Sequence, residues 1–362
     1  MLRADFRHSL HARGVEYLGC SQTFLFCFST KPFLHDKLRP ACDWPSCFCV
    51  SSNKIRNQYN SDRICRNDVV FLGKKTFPTV NLVYFGGDIQ DYESNMRQNK
   101  FTNQYIKWSL ENTAQNLYER FTNQFSQSNP HVWIIRASQW IANSLACYVN
   151  FLSFTKSGIP LFENNEIYEY TAVRHLNCLL SNAVKHLSNC ESDVQCQVLN
   201  IPLRLIGFSK GCCVLTELIY ELSVSNDSNE TSSHLFSDFT TETNEICKSL
   251  SHIYWLDSGH PGIHHQWPVS VNYLSLLKPA TCPKIHVHAT PYQIMNHSKP
   301  QKSADFNRFL DILSQFNLPF TKVLHFMADT SRISESISTE SEKIEVNCSL
   351  ERHFEILNQF EF

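Results

Sequence analysis

A chain of 362 residues, 42% hydrophobic and 12% aromatic, has enough apolar material to fill the core of one large α/β domain. Its formal net charge of −2 excludes bulk electrostatic attraction to nucleic acid. No apolar run reaches the ~18 residues that a transmembrane helix needs.

Residues 1 to about 65 carry no sustained helical or strand period. Arg3, Arg7 and Arg13 suggest a transit peptide, Asp5 and Glu16 oppose one, and the apolar piece 18–28 reads as a poor signal-peptide core. The expectation is a disordered or targeting leader, removable from the rest. The fifteen cysteines are scattered; Cys178, Cys212 and Cys213 sit inside apparent elements as small core residues. Cys42, Cys47 and Cys49 cluster but lack histidines at zinc-ligand spacing, so no metal is expected. Asn-x-Ser/Thr matches at Asn226, Asn229, Asn296 and Asn347 do not establish secretion in an Asn-rich chain.

From Asn67 the pattern changes, and a domain is expected over 66–362. Short β-branched and aromatic runs predict strands over 68–72, 80–85, 131–135, 203–207, 253–256, 284–288 and 323–326. Helical periods separate them over about 105–121, 167–187, 212–222, 269–277 and 304–316, and a short helix starts near Leu350. Strands alternating with helices imply a mostly parallel sheet with helices on both faces. The polar stretch 223–243 reads as a flexible surface insertion, and 141–166 as a candidate lid.

One pentapeptide carries the chemistry. Gly207-Phe208-Ser209-Lys210-Gly211 joins an apolar strand to an apolar helix, the context in which Gly-x-Ser-x-Gly lifts a serine hydroxyl onto a sharp turn. The competing reading is a glycine turn closing an ordinary strand–helix unit. A nucleophilic serine also needs a base and an acid, in the chain order Ser, Asp or Glu, His. Asp257 ends the next strand, at the edge where open α/β sheets place functional groups. The following strand ends in Thr290-Pro291-Tyr292, without an acid. His353, at the start of the terminal helix, is preferred as the base over His325, which lies within a strand. His260, three residues after Asp257, is expected to line the pocket. For the oxyanion, the backbone N–H of Lys210 is one expected donor, and the Gly86-Gly87 turn after the strand 80–85 supplies the other.

The segments "LIGFSKGC", "YWLDSGH", "HATPYQI" and "SLEN" at 109–112, with the C-terminal "HF", resemble the family named after human chromosome 2 open reading frame sixty-nine. That family is described as mitochondrial and similar to α/β-hydrolase serine esterases. The resemblance implies an α/β-hydrolase-like fold, Ser209 as nucleophile and a mitochondrial location; a cytoplasmic or secreted protein is the alternative. Two functions follow. One is a serine hydrolase acting on a small-molecule ester or thioester without metal or organic cofactor. The other is a hydrolase-fold protein that has lost turnover and works by binding or regulation.

Overall fold

The computed structural model describes residues 65–74, 78–162, 171–190, 201–225, 246, 248–295, 299–327 and 349–362, together with short strands at 23–25, 46–51, 55–56 and 62–63. Nine strands form the central sheet: β1 (Thr23–Leu25), β2 (Ser46–Ser51), β3 (Arg66–Lys74), β4 (Val80–Phe85), β5 (Pro130–Ile135), β6 (Leu203–Phe208), β7 (Leu250–Leu256), β8 (Lys284–Ala289) and β9 (Phe320–Leu324). Their order is β1-β3-β5-β4-β6-β7-β8-β9, with β2 also paired to β3. From β5 to β9 every pairing is parallel, and β3 runs antiparallel to β5. An antiparallel strand beside a parallel run, with a serine turn and helix after β6, is the α/β-hydrolase arrangement.

Side chains alternate across this sheet as the pleat requires. Val83, Phe85, Trp133, Ile135, Leu205 and Trp255 face one core, covered by helices α2 (Thr171–Cys190), α3 (Cys212–Ser225), the single turn α4 (Val271–Leu274) and α5 (Pro300–Gln315). Leu82, Tyr84, Ile134, Ile206, Phe208 and Leu256 face the other, covered by α1 (Leu110–Gln124) and α6 (Leu350–Gln359). Because both faces are buried, the strands read in sequence as near-continuous apolar runs.

The structure differs from the sequence expectation in several places. The helix expected over 105–121 divides into a 3₁₀ turn, Thr102–Trp108, and α1. Ser109 causes the break: its hydroxyl accepts the Asn112 N–H at 3.2 Å and caps α1. The stretch 1–65, expected to be a separable leader, contributes β1 and β2 to the edge of β3. The candidate lid contains two small antiparallel pairs, Gln139–Ile141 with Leu145–Cys147 and Ser153–Phe154 with Pro160–Leu161. It is tied down rather than free. Ile89 N–H donates to Ser144 O at 2.8 Å, Ala146 N–H to Asp88 Oδ1 at 2.8 Å, and Tyr148 OH to Gly86 O at 2.9 Å. Of the expected insertion, 223–225 complete α3 and 226–243 lie outside the described residues.

Histidines and an aromatic line the α6 face near the β9 edge. Tyr254 stacks on His286 at 4.2 Å, and His288 Nδ1 lies 2.9 Å from His325 Nε2. Burial, with smaller contributions from neighbouring positive groups, holds His286 and His288 down to about 3. Burial also holds His131 at about 4. An unfolded histidine takes its proton near pH 6.5, whereas these refuse it until about 3 to 4 when folded. The penalty is therefore absent above pH 6.5 and grows as pH falls below it. Between pH 6.5 and 5, where most carboxylates stay ionised, unfolding free energy should fall by roughly 2 kcal/mol or more. Urea midpoints at pH 7.5, 6 and 5 measure it; a constant midpoint would refute it.

Candidate active site

β4, β6 and β7 end in register, since Gly207 pairs with Phe85 on one side and Trp255 on the other. The Gly86-Gly87 turn, Ser209 and Asp257 therefore emerge together at the carboxyl edge of the sheet. Ser209 has φ 52° and Asp257 φ 53°, a left-handed conformation that is uncommon for non-glycine residues. Gly207 and Gly211 have no positive φ; their contribution is space. A Cβ on Gly211 would sit 2.0 Å from Phe85 O, and one on Gly207 would sit 2.7 Å from Leu215 Cδ1.

Asp257 is fully buried. Its Oδ1 accepts the Thr290 N–H at 2.7 Å; its Oδ2 accepts the Thr290 hydroxyl at 2.5 Å and meets His353 Nδ1 at 2.6 Å. The aspartate arrives from β7, Thr290 from the end of β8, and His353 from α6, whose first turn is capped by Ser349 accepting the Arg352 N–H. Phe208 and Tyr292 both pack their rings on the His353 imidazole, each with centroids 4.6 Å away. Phe208 directly precedes Ser209, so serine and imidazole belong to one neighbourhood. Among the described residues no hydrogen bond joins Ser209 Oγ to His353; nucleophile–base contacts are often long until substrate is present.

The two rival histidines lie elsewhere in the hydrogen-bond network. His325 follows β9, donates its N–H to Ala289 O and contacts His288. His260 uses both ring nitrogens within its own loop: Nδ1 accepts the Gly262 N–H, and Nε2 lies 3.1 Å from His265 O. Burial pushes His260 down to about 4, and this bonding fits the Nε2–H tautomer.

Around the turn after β4, Gln90 Oε1 accepts the Gly87 N–H at 2.9 Å and the Tyr84 hydroxyl at 2.8 Å. The Gly87 N–H is thus already engaged, whereas among the described residues the Asp88 N–H has no acceptor. A Cβ on Gly87 would lie 2.8 Å from Ser209 Cβ, so this turn approaches the serine closely. Lys210 is the second residue of a short 3₁₀ turn, Ser209–Gly211, that runs into α3, and the first N–H groups of a helix have no partner within it. Its side chain is fully buried, pairs with Asp88 at 3.6 Å, and lies over the Phe154 ring at 5.5 Å. The ammonium beside the serine therefore ties the 139–161 segment to the turn after β4. Burial raises the Asp88 carboxyl, and Lys210 partly offsets that rise.

Sequence reasoning missed Thr290, Gln90 and Tyr292. Thr290 had one signal: it ends the strand adjacent to the one that Asp257 ends. Gln90 and Tyr292 had none, because their roles depend on contacts between loops. No group of three or more metal-ligating side chains occurs among the described residues, and no described helix is long and apolar enough to cross a membrane.

The profile of the C2orf69 family matches residues 66–200 and 188–319. The chain belongs to the C2orf69 family. The human "Mitochondrial protein C2orf69" is 29% identical over 303 residues, covering 71% of this chain and 72% of the relative. The mouse homolog is 28% identical over 299 residues, covering 70% and 75%. These names support a mitochondrial location for this member. Among solved structures, a dienelactone hydrolase from Anabaena variabilis aligns at 10% identity, covering 86% of this chain and 97% of that one, with a TM-score of 0.33. The fold assignment rests on strand order and the serine turn. His353 lies beyond the segments that the C2orf69 profile matches.

Proposed function

We propose that this C2orf69 protein is a serine hydrolase of small-molecule esters or thioesters. The observation that carries the proposal is the buried Asp257–His353 contact of 2.6 Å, formed by residues 96 positions apart at the sheet edge that bears the strained Ser209. Asp257 fixes the Nδ1–H tautomer of His353 and leaves Nε2 as the base. His353 Nε2 takes the Ser209 proton as Oγ attacks the carbonyl carbon, and returns it to the leaving oxygen or sulfur. Water then attacks the acyl carbon, giving a proton to His353, which passes it to Ser209 Oγ as the acid leaves. The Lys210 N–H at the start of the turn, with the Asp88 N–H rather than that of Gly87, stabilises the oxyanion. The Thr290 N–H and hydroxyl fix the Asp257 carboxylate in place, and the carboxylate in turn aligns the imidazole.

Labelling by a fluorophosphonate tests this directly. The parent protein should react at Ser209 and the Ser209→Ala variant should not. Hydrolysis of a short-chain aryl ester should also vanish in that variant, while its unfolding free energy changes by no more than about 0.5 kcal/mol, because the hydroxyl makes no hydrogen bond among the described residues. A folded parent that resists the label, or a Ser209→Ala variant that still turns over, would overturn the mechanism.

A further inference from the structure

Lys302 is only 6% exposed, yet among the described residues no carboxylate lies within ion-pair distance of it. Its Nζ donates to Gln293 Oε1, a neutral amide, and sits 5.6 Å from the centroid of the Tyr292 ring. Buried lysines ordinarily have an acidic partner, since taking an ammonium out of water is costly. The location adds to the cost. Lys302 stands in the first turn of α5, where the helix dipole is positive and no acidic residue offsets it. Burial, then the charge of Lys299, lowers Lys302 to about 8, so it still carries its proton at neutral pH. The more distant charges of Asp257 and Asp88 offset this only in part, and among the described residues no carboxylate pairs with the ammonium directly.

The neighbours of Lys302 are those of the proposed catalytic groups. The Tyr292 ring beneath the ammonium packs on the His353 imidazole at 4.6 Å. Gln293, which holds Nζ, fills the space beside Gly259: a Cβ there would lie 2.6 Å from Gln293 Nε2. The Gly259 N–H in turn reaches Ser209 O at 3.4 Å. Lys302 is thus one side chain, Tyr292, removed from the base, and reaches the serine turn through Gln293 and Gly259. His260, pushed down to about 4, supplies no charge of its own near neutral pH.

We propose that Lys302 is a specificity residue that pairs with an anionic group of the substrate, a carboxylate or phosphate carried a few atoms from the scissile carbonyl. This rests on the serine-hydrolase reading of Ser209. An ammonium already stripped of water and fixed by Gln293 forms a stronger charge-assisted pair than a surface lysine, and a neutral ester leaves it unpaired.

Three aryl esters test the proposal on the full chain: p-nitrophenyl hydrogen glutarate, p-nitrophenyl 4-phosphonobutanoate and the uncharged p-nitrophenyl methyl glutarate. The parent should favour at least one anionic ester over the neutral one by about tenfold or more in kcat/KM, and the better of the two names the anion. Lys302→Met should bring that ratio close to one, whereas Lys302→Arg, which keeps the charge, should retain most of it. Thermal melts confirm that each variant folds. Calorimetry on Ser209→Ala gives a readout that needs no turnover, using monomethyl glutarate, methyl 4-phosphonobutanoate and dimethyl glutarate as probes. An anionic probe should bind at least about tenfold tighter than dimethyl glutarate, and Lys302→Met in that background should erase the difference. Anion binding without hydrolysis would sink the hydrolase reading alone. Hydrolysis without anion preference, a preference that survives Lys302→Met, or no anion-selective binding would sink the role of Lys302.

Discussion

Gly211→Ala is expected to unfold the protein or lower its unfolding free energy by more than about 3 kcal/mol. The added Cβ would lie 2.0 Å from Phe85 O, 2.5 Å from Phe85 C and 2.7 Å from Gly86 O. All three are backbone atoms. Phe85 ends β4, which is paired on one side with β5 and on the other with β6, so it cannot retreat without breaking sheet hydrogen bonds. α3 cannot retreat either, because Val214, Leu215 and Leu218 on its buried face are locked in the core. Ser209→Ala, two residues away, provides the contrast: the same turn with a changed side chain and no new clash. Urea unfolding of both variants decides the matter. A Gly211→Ala protein within about 1 kcal/mol of the parent would show that the end of β4 can move.

That contrast also explains how much of the site was legible beforehand. The Gly-x-Ser-x-Gly spacing and the apolar strand before it mark the turn, because close packing of α3 on β4 admits no Cβ at Gly211. Asp257 and His353 could be chosen from chain order and strand ends, since a parallel sheet gathers its carboxyl ends on one edge. What chain order cannot supply is the contact between loops. The turn at Gly87 lies beside Ser209, but the Gly87 N–H is taken by Gln90, whose side chain reaches back from three residues on. The strands β1 and β2 were missed for another reason. β1 has only three residues, and Ser46–Ser51 intersperses serine and cysteine among its few apolar residues, so it lacks the continuous apolar run that marks the inner strands.

Asp257→Asn should leave the fold intact and lower kcat by about 10⁴-fold, the loss seen when the corresponding carboxylate of a serine protease is replaced. The carboxylate has three donors around it: the Thr290 N–H, the Thr290 hydroxyl and His353 Nδ1. Asparagine can keep its carbonyl oxygen on the Thr290 N–H, which has nowhere else to go in a site of zero exposure. Its amide nitrogen then faces the other two groups as a donor. The Thr290 hydroxyl can rotate and accept. His353 Nδ1 can accept only by losing its hydrogen, which moves the proton to Nε2, the atom that must take it from Ser209. The imidazole remains in place between Phe208 and Tyr292, but in the tautomer that cannot act as a base. Melting should therefore change little while fluorophosphonate labelling of Ser209 slows in parallel with hydrolysis. Two variants separate this tautomer effect from simple loss of packing. Thr290→Val removes the hydroxyl donor but spares the Thr290 N–H and the His353 contact, so its activity should fall far less than that of Asp257→Asn. Thr290→Ser keeps both donors and should stay near the parent. If Asp257→Asn and Thr290→Val lose activity equally, Asp257 acts by holding β7 to β8 rather than by fixing the proton of His353.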